Sequence, residues 1–401
     1  MEHAERDHRV QAARREEERV TPLELFFDLV FVLAITQCTT LMSGNPTWEG
    51  VAQGLLVLAV LWWSWGGYAW LTSVLDPEEG AVRLAIFAAM AALLVAALSV
   101  PGAFGDDALA FALAYGIVRV AHIALFLIAS RSEPELRRSV IGLAVGTTIG
   151  VTLLLVASAT DGWLQLVVWI VAIALDMGLP YLFWAEGWQL VPAHFAERHG
   201  LILIIALGES IVAIGLGSNA VVDIGVVVAA TMGIAIAAAL WWIYFDVTVW
   251  VAERRLSEAE PGREQNELAR DGYSYMHFAM VAGIVLLALG MKKTLEHVED
   301  PLKTVPAVAL VGGVATYLLA LVAFRWRLMH TLSRPRTIAA LAALALLPVA
   351  LEAPAYVTVT ALVVVLWTEI VYEVVRYAEF RDRIRHQLAR ENSGHGDEAG
   401  E

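Results

Sequence analysis

Cysteine and lysine are almost missing from this 401-residue chain. The one cysteine, Cys38, excludes an intramolecular disulfide and a thiolate metal cluster. Lysine stands only at Lys292, Lys293 and Lys303, and charged residues together reach just 17%, against roughly 25% in a soluble domain. A formal charge of −14 argues against nucleic-acid binding, and the basic tract Arg14-Arg15 runs directly into Glu16-Glu17-Glu18. Enzyme signatures are absent too, with no His-Glu-x-x-His, no phosphate-binding Walker loop and no Gly-x-Ser-x-Gly. His194 and His199 are five apart, which does not put them on one helical face for a metal. No metal and no cofactor is expected. The opening tract Met1–Arg19 is charged and lacks the apolar core of a signal peptide.

Hydrophobic residues, by contrast, make up 59% of the chain, where a soluble domain has roughly 45–50%. A soluble core of this length cannot bury that excess, so much of it must face lipid. A span needs about 20 mostly apolar residues. By that measure helices are expected near 23–42, 51–75, 82–100, 107–130, 138–158, 163–183, 200–217, 224–250, 272–291, 304–325, 337–352 and 355–376. The connections carry breakers such as Asn45-Pro46, Asp76-Pro77, Pro101-Gly102 and Ala353-Pro354. The longest polar connection, Glu253–Asp271, reads as a cytosolic loop. The expected fold is an all-α, polytopic transmembrane bundle of about twelve helices.

Arginine sets the orientation. With both termini in the cytoplasm, the inner segments collect Arg131, Arg137, Arg138, Arg198, Arg254, Arg255, Arg263, Arg270, Arg325, Arg327, Arg334 and Arg336. The outer loops hold no arginine. Their only cations are the three lysines, set among Glu296, Glu299 and Asp300.

The chain also reads as a tandem repeat of six plus six helices. Leu61-Trp62-Trp63 matches Leu240-Trp241-Trp242, and Asp176 falls in a position like that of Glu369. An even number of helices per half makes the repeats parallel. The expected organisation is a cytosolic tail at 1–19, repeats at 20–185 and 186–378, and a disordered cytosolic tail at 379–401.

Two segments carry a family pattern. The first is Arg19-Val20-Thr21-Pro22-Leu23-Glu24-Leu25-Phe26-Phe27-Asp28, and the second is Glu197-Arg198-His199-Gly200 running on to Ala206-Leu207-Gly208-Glu209-Ser210. Together they closely resemble the low-temperature-requirement A (LtrA) family of bacterial membrane proteins, over nearly the whole chain. The resemblance implies a bacterial inner-membrane protein linked by name to growth in the cold, and no defined activity. A weaker likeness is to the two-repeat lysosomal potassium channels, whose first helix opens on Arg-x-x-x-Phe-Ser-Asp. Here the triplet is Phe26-Phe27-Asp28, and Pro22 stands where those channels have arginine.

Ionisable groups within a bilayer cost roughly 2.5–3.5 kcal/mol each on insertion scales, so they face a partner or a polar cavity. The residues in question are Asp28, Arg119, His122, Asp176, Glu209, Asp246, His277 and Glu369, with Glu24 at the interface. Acids outnumber bases, and the imbalance calls for bound cations, protonated histidines or protonated acids. All of them map to the midplane or the cytosolic half, as a polar vestibule opening inward would require. Glu24 and Asp28 are four apart, Arg119 and His122 three apart, so each pair shares a helix face. An acid pair and a basic pair suggest one interhelical cluster, serving either transport or a structural clasp. Gly200 and Gly208 are expected to let a neighbouring helix approach.

Three functions stay open: a transporter or channel for a small ion or solute, proton-linked in one form, with Asp28 and Glu209 as central acids; a membrane enzyme acting on lipid or an isoprenoid carrier; and a non-catalytic factor for growth in the cold. The expected partners are the bilayer and that unidentified ion or solute.

Overall fold

The computed structural model describes residues 19–183, 187–217 and 224–378, and every regular element among them is helical. In chain order these are α1 (Pro22–Gly44), α2 (Trp48–Thr72), α3 (Gly80–Leu98), α4 (Ala108–Ala129), α5 (Pro134–Ala157), α6 (Gly162–Phe183), α7 (Pro192–Gly217) and α8 (Ile224–Phe245). There follow α9 (Thr248–Glu258), α10 (Arg263–Leu268), a π-helical stretch Ala269–Met276, α11 (His277–Glu296), α12 (Thr304–Met329), α13 (Arg334–Ala345), α14 (Leu347–Glu352) and α15 (Ala355–Arg376). Among the described residues, eleven helical stretches are long and apolar enough to cross a membrane by length and composition. The chain is a polytopic α-helical bundle, as its composition requires. The expected disordered tail, 379–401, lies outside the described residues.

Local chemistry explains the boundaries. At α1 a capping box operates: the Thr21 hydroxyl accepts from the Glu24 amide, the Glu24 carboxylate accepts from the Thr21 amide, and Pro22 occupies the first turn. Pro192 likewise starts α7 eight residues before the expected position near 200. The polar connection after α8 is helical rather than a loop. α9 buries Thr248, Ala252 and Leu256, which recur every four residues, so a charged segment still presents one apolar stripe to the protein. α13 and α14 break at Leu346, where Pro348 cannot donate to the helix ladder.

The chain divides into two compact units. The first takes residues 1–205 and 257–274, the second 206–256 and 275–401. In the first, α1 packs on α2 and α3, α3 on α4, α4 on α5 and α5 on α6, while α2 touches α4 and α6. α2 is thus surrounded: 83% of its apolar window is buried, the highest share of any span. α4 turns Leu109, Leu113, Ile117 and Val120 outward, a stripe at helical spacing that suits lipid.

In the second unit α11 lies along α12, α12 meets α13, and α15 contacts both α8 and α13. Small residues set the α11–α12 approach. A Cβ at Gly290 would come within 2.6 Å of Leu310 Cα, and one at Gly283 within 2.7 Å of the Gly313 carbonyl. Gly208, for which close packing was expected, has open space where a Cβ would stand.

Candidate functional site

The first cluster joins the two family-type segments inside the first unit. Pro192 starts α7 early enough that His194 and Arg198, four apart, occupy one buried face. Arg198 Nη2 lies 2.6 Å from Asp28 Oδ1, and its Nη1 reaches Glu24 Oε1 at 3.3 Å and the Thr72 hydroxyl at 3.0 Å. Trp65 donates its indole N–H to the same Asp28 oxygen at 2.8 Å, and the guanidinium sits 5.6 Å from the Trp65 ring centroid. His194 Nε2 is 2.9 Å from Glu24 Oε1, and its Nδ1 is 3.4 Å from the Ser73 hydroxyl. Asp28 is wholly buried, yet its Oδ2 accepts no hydrogen bond among the described residues. Arg198 was expected on the cytosolic side with the other loop arginines. It is buried beside two carboxylates rather than exposed in a connection.

The second cluster lies between α4, α5 and α6. Arg119 pairs with Asp176 at 3.1 Å, Thr147 bridges the two, and the Tyr115 hydroxyl donates to the other Asp176 oxygen at 2.7 Å. Arg119 of the basic pair on α4 therefore serves Asp176, not the acids of α1. His122 donates from Nε2 to the Gly67 carbonyl at 3.0 Å, leaving Nδ1 as an acceptor without a partner among the described residues. A small cavity of about 30 Å³ opens beside His122, Arg119 and Gly67, room for one or two waters. Gly67 is required here: a Cβ would lie 2.8 Å from His122 Cε1 and 3.2 Å from Arg119 Nη1.

The third cluster belongs to the second unit. Arg336 of α13 grips Glu373 of α15 with two bonds of 3.1 and 2.9 Å and donates to the Thr248 hydroxyl at 3.0 Å. Glu369 stands 3.7 Å from Arg336 Nε. Asp246 occupies the break between α8 and α9 and lines a cavity of about 400 Å³ with Arg336 and Glu373. His277 is buried and lies 2.8 Å from the Tyr244 hydroxyl. Glu209 is 1% exposed. Among the described residues no group of three or more His, Cys, Asp or Glu side chains has a metal-binding arrangement.

Residues 19–371 match the model of the bacterial low temperature requirement A protein, LtrA. The chain belongs to the LtrA family. An uncharacterized protein of Rhizobium meliloti (strain 1021) is 30% identical over 306 residues, which cover 74% of each chain. No solved structure matches. The LtrA match takes in the first two clusters whole, and in the third it reaches Glu369 but ends before Glu373.

Within the motifs that marked the LtrA resemblance, Phe27 is buried against Tyr68, with ring centroids 4.9 Å apart. Phe26 is 53% exposed and so suited to lipid. Glu197 accepts the Val20 amide at 3.1 Å, tying the second motif to the start of the first. Ser210 donates back to the Leu207 carbonyl. The partners that sequence reasoning missed are His194, Trp65, Thr72, Tyr115 and Thr147. His194 and Arg198 carried a usable signal in their spacing of four. Thr147 and Tyr115 carried none, because only the fold brings them to Asp176.

Proposed function

We propose that this LtrA protein is a transporter for a small ion or solute, linked to proton movement through the Glu24–Asp28–Arg198–His194 cluster. One observation carries the reading: an arginine shared by two buried carboxylates, one of which keeps an oxygen without a hydrogen bond. Charges withdrawn this far from water are costly to keep. A proton on Asp28 Oδ2 neutralises that acid and leaves Glu24 as the charged partner of Arg198 between α1 and α7, which weakens the tie between the two helices. Histidine, whose ordinary pKa lies nearest neutrality, stands next in the same network as His194. Loading and unloading of one proton is thereby coupled to a helix contact. Glu209 supplies a second buried acid, on the same helix as Arg198.

The protein sits in the bacterial inner membrane with both termini inside, as the arginine distribution supports. Labelling of single cysteines in a Cys38→Ser background checks this; a cysteine near residue 260 that reacts from outside intact cells would refute it. The six-plus-six parallel repeat is supported by shared packing order: α3 on α4 and α11 on α12, α5 on α6 and α13 on α15, α2 on α6 and α8 on α15. The family's name makes growth at low temperature the phenotype to score. Flux of protons and small ions across liposomes carrying the purified protein, driven by an imposed pH gradient, tests the transport reading. A rate equal to that of empty liposomes for every ion and solute tried would count against it.

A further inference from the structure

Four helix ends meet on one side of the second unit: the C-termini of α8, α12 and α15 and the N-terminus of α13. They enclose the cavity of about 400 Å³, within the size range of small-ligand sites. We infer that this cavity binds a phosphate group, held by Arg325 and Arg334. The inference does not depend on the transport reading.

Charge is the first argument. Arg325, Arg334 and Arg336 line the cavity together with Glu373 and Asp246. Arg336 is already committed to Glu373 and Thr248. Neither Arg325 nor Arg334 forms an ion pair with a carboxylate among the described residues. Arg325 is half-buried, and its Nε is shut off from solvent without a hydrogen-bond partner among the described residues. Glu369 and Glu373 act on this guanidinium from a distance, but neither bonds it, so its buried N–H lacks an acceptor that an added anion would supply. The planar fork of N–H donors suits phosphate oxygens in particular.

Backbone adds to this. The cavity is lined by the first residues of α13, Arg334-Pro335-Arg336, and the Ser333 hydroxyl, which would ordinarily cap the helix, donates to Glu373 instead. The positive end of this helix is left free to face an anion.

Position and shape narrow the class. The lining sits where membrane-length helices terminate, the level of lipid headgroups, and Trp242, Leu332 and Tyr377 give it an aromatic and apolar margin. Asp246 on the same wall disfavours a doubly charged phosphate and favours a singly charged phosphodiester. A phospholipid headgroup and a soluble phosphate share the recognising chemistry and are separated by experiment.

The full chain, purified in a neutral detergent, is titrated with phosphatidylglycerol, with diacylglycerol as the phosphate-free control, and separately with inorganic phosphate. Bound lipid is counted by native mass spectrometry, and the unfolding midpoint is read in parallel. Phosphatidylglycerol is expected to bind and to raise the midpoint, and diacylglycerol to do neither. Arg325→Gln with Arg334→Gln should weaken binding about tenfold or more, whereas Arg325→Lys with Arg334→Lys should restore part of it. Inorganic phosphate binding that is lost in the glutamine variant would assign the site to a soluble phosphate. Equal binding of phosphatidylglycerol and inorganic phosphate to wild type and glutamine variant, or no binding of either, would overturn the inference.

Discussion

Arg198 reaches from α7 to within 2.6 Å of Asp28 on α1, and the two side chains are 1% and 0% exposed. Removing the arginine takes the shared guanidinium from both buried carboxylates, Asp28 and Glu24, which costs about 3–5 kcal/mol. Arg198→Met alone should therefore lower stability by that amount in detergent. Arg198→Met combined with Asp28→Asn and Glu24→Gln should recover much of the loss, because no uncompensated charge is left. A triple variant no more stable than Arg198→Met would show that the arginine acts through packing instead.

Two glycine substitutions should have opposite signs. Gly67→Ala drives a methyl group into His122 and Arg119, and overpacking of this kind costs about 1–3 kcal/mol. At Gly208 nothing among the described residues lies within 4 Å of a Cβ, so Gly208→Ala should stabilise the helix by about 0.5–1 kcal/mol. Unfolding midpoints of the two purified variants give the comparison directly.

The clasp of the second unit depends on guanidinium geometry. Arg336 meets Glu373 through two nitrogens and Thr248 through a third. Lysine keeps the charge but not the fork, so Arg336→Lys should cost about 1.5–3 kcal/mol, the worth of a charged hydrogen bond. A lysine variant with the wild-type midpoint would show that charge alone suffices there.

The helices were legible because most apolar runs are long enough to span and several are closed by a proline, glycine or asparagine. What stayed hidden was partner choice. Arg198 lies just before the apolar run that begins at Gly200, so hydropathy assigned it to a cytosolic loop. Pro192 at the start of α7 and the spacing of four from His194 were the only local signs that it is helical and buried. Arg119 and His122 looked like the natural mates of Glu24 and Asp28, yet Asp176 claims Arg119 through a contact between α4 and α6 that no local pattern encodes. The helical character of 253–258 and 263–271 was hidden by its charge, since the apolar stripe of Ala252 and Leu256 is only one residue wide.

Trp65 offers a gentler probe of the first cluster. Its indole N–H shares Asp28 Oδ1 with Arg198. Trp65→Phe removes one charge-assisted hydrogen bond while keeping most of the ring. A loss of about 1.5–3 kcal/mol is expected, read as the unfolding midpoint, together with a shift in the pH dependence of flux. An unchanged pH profile would place Trp65 outside the proton-handling network.

Proton-driven flux and thermal stability, measured on the same preparations of wild type, Asp28→Asn, Glu209→Gln and the double variant, test the central claim most directly. Asp28→Asn keeps the shape of the side chain and can still accept from Arg198 and Trp65, so the protein should stay folded. The account predicts that the pH dependence of transport is lost in Asp28→Asn and in Glu209→Gln, with unfolding midpoints close to wild type. Wild-type flux in the double variant, with a lowered midpoint, would mean that both acids serve packing and would contradict it.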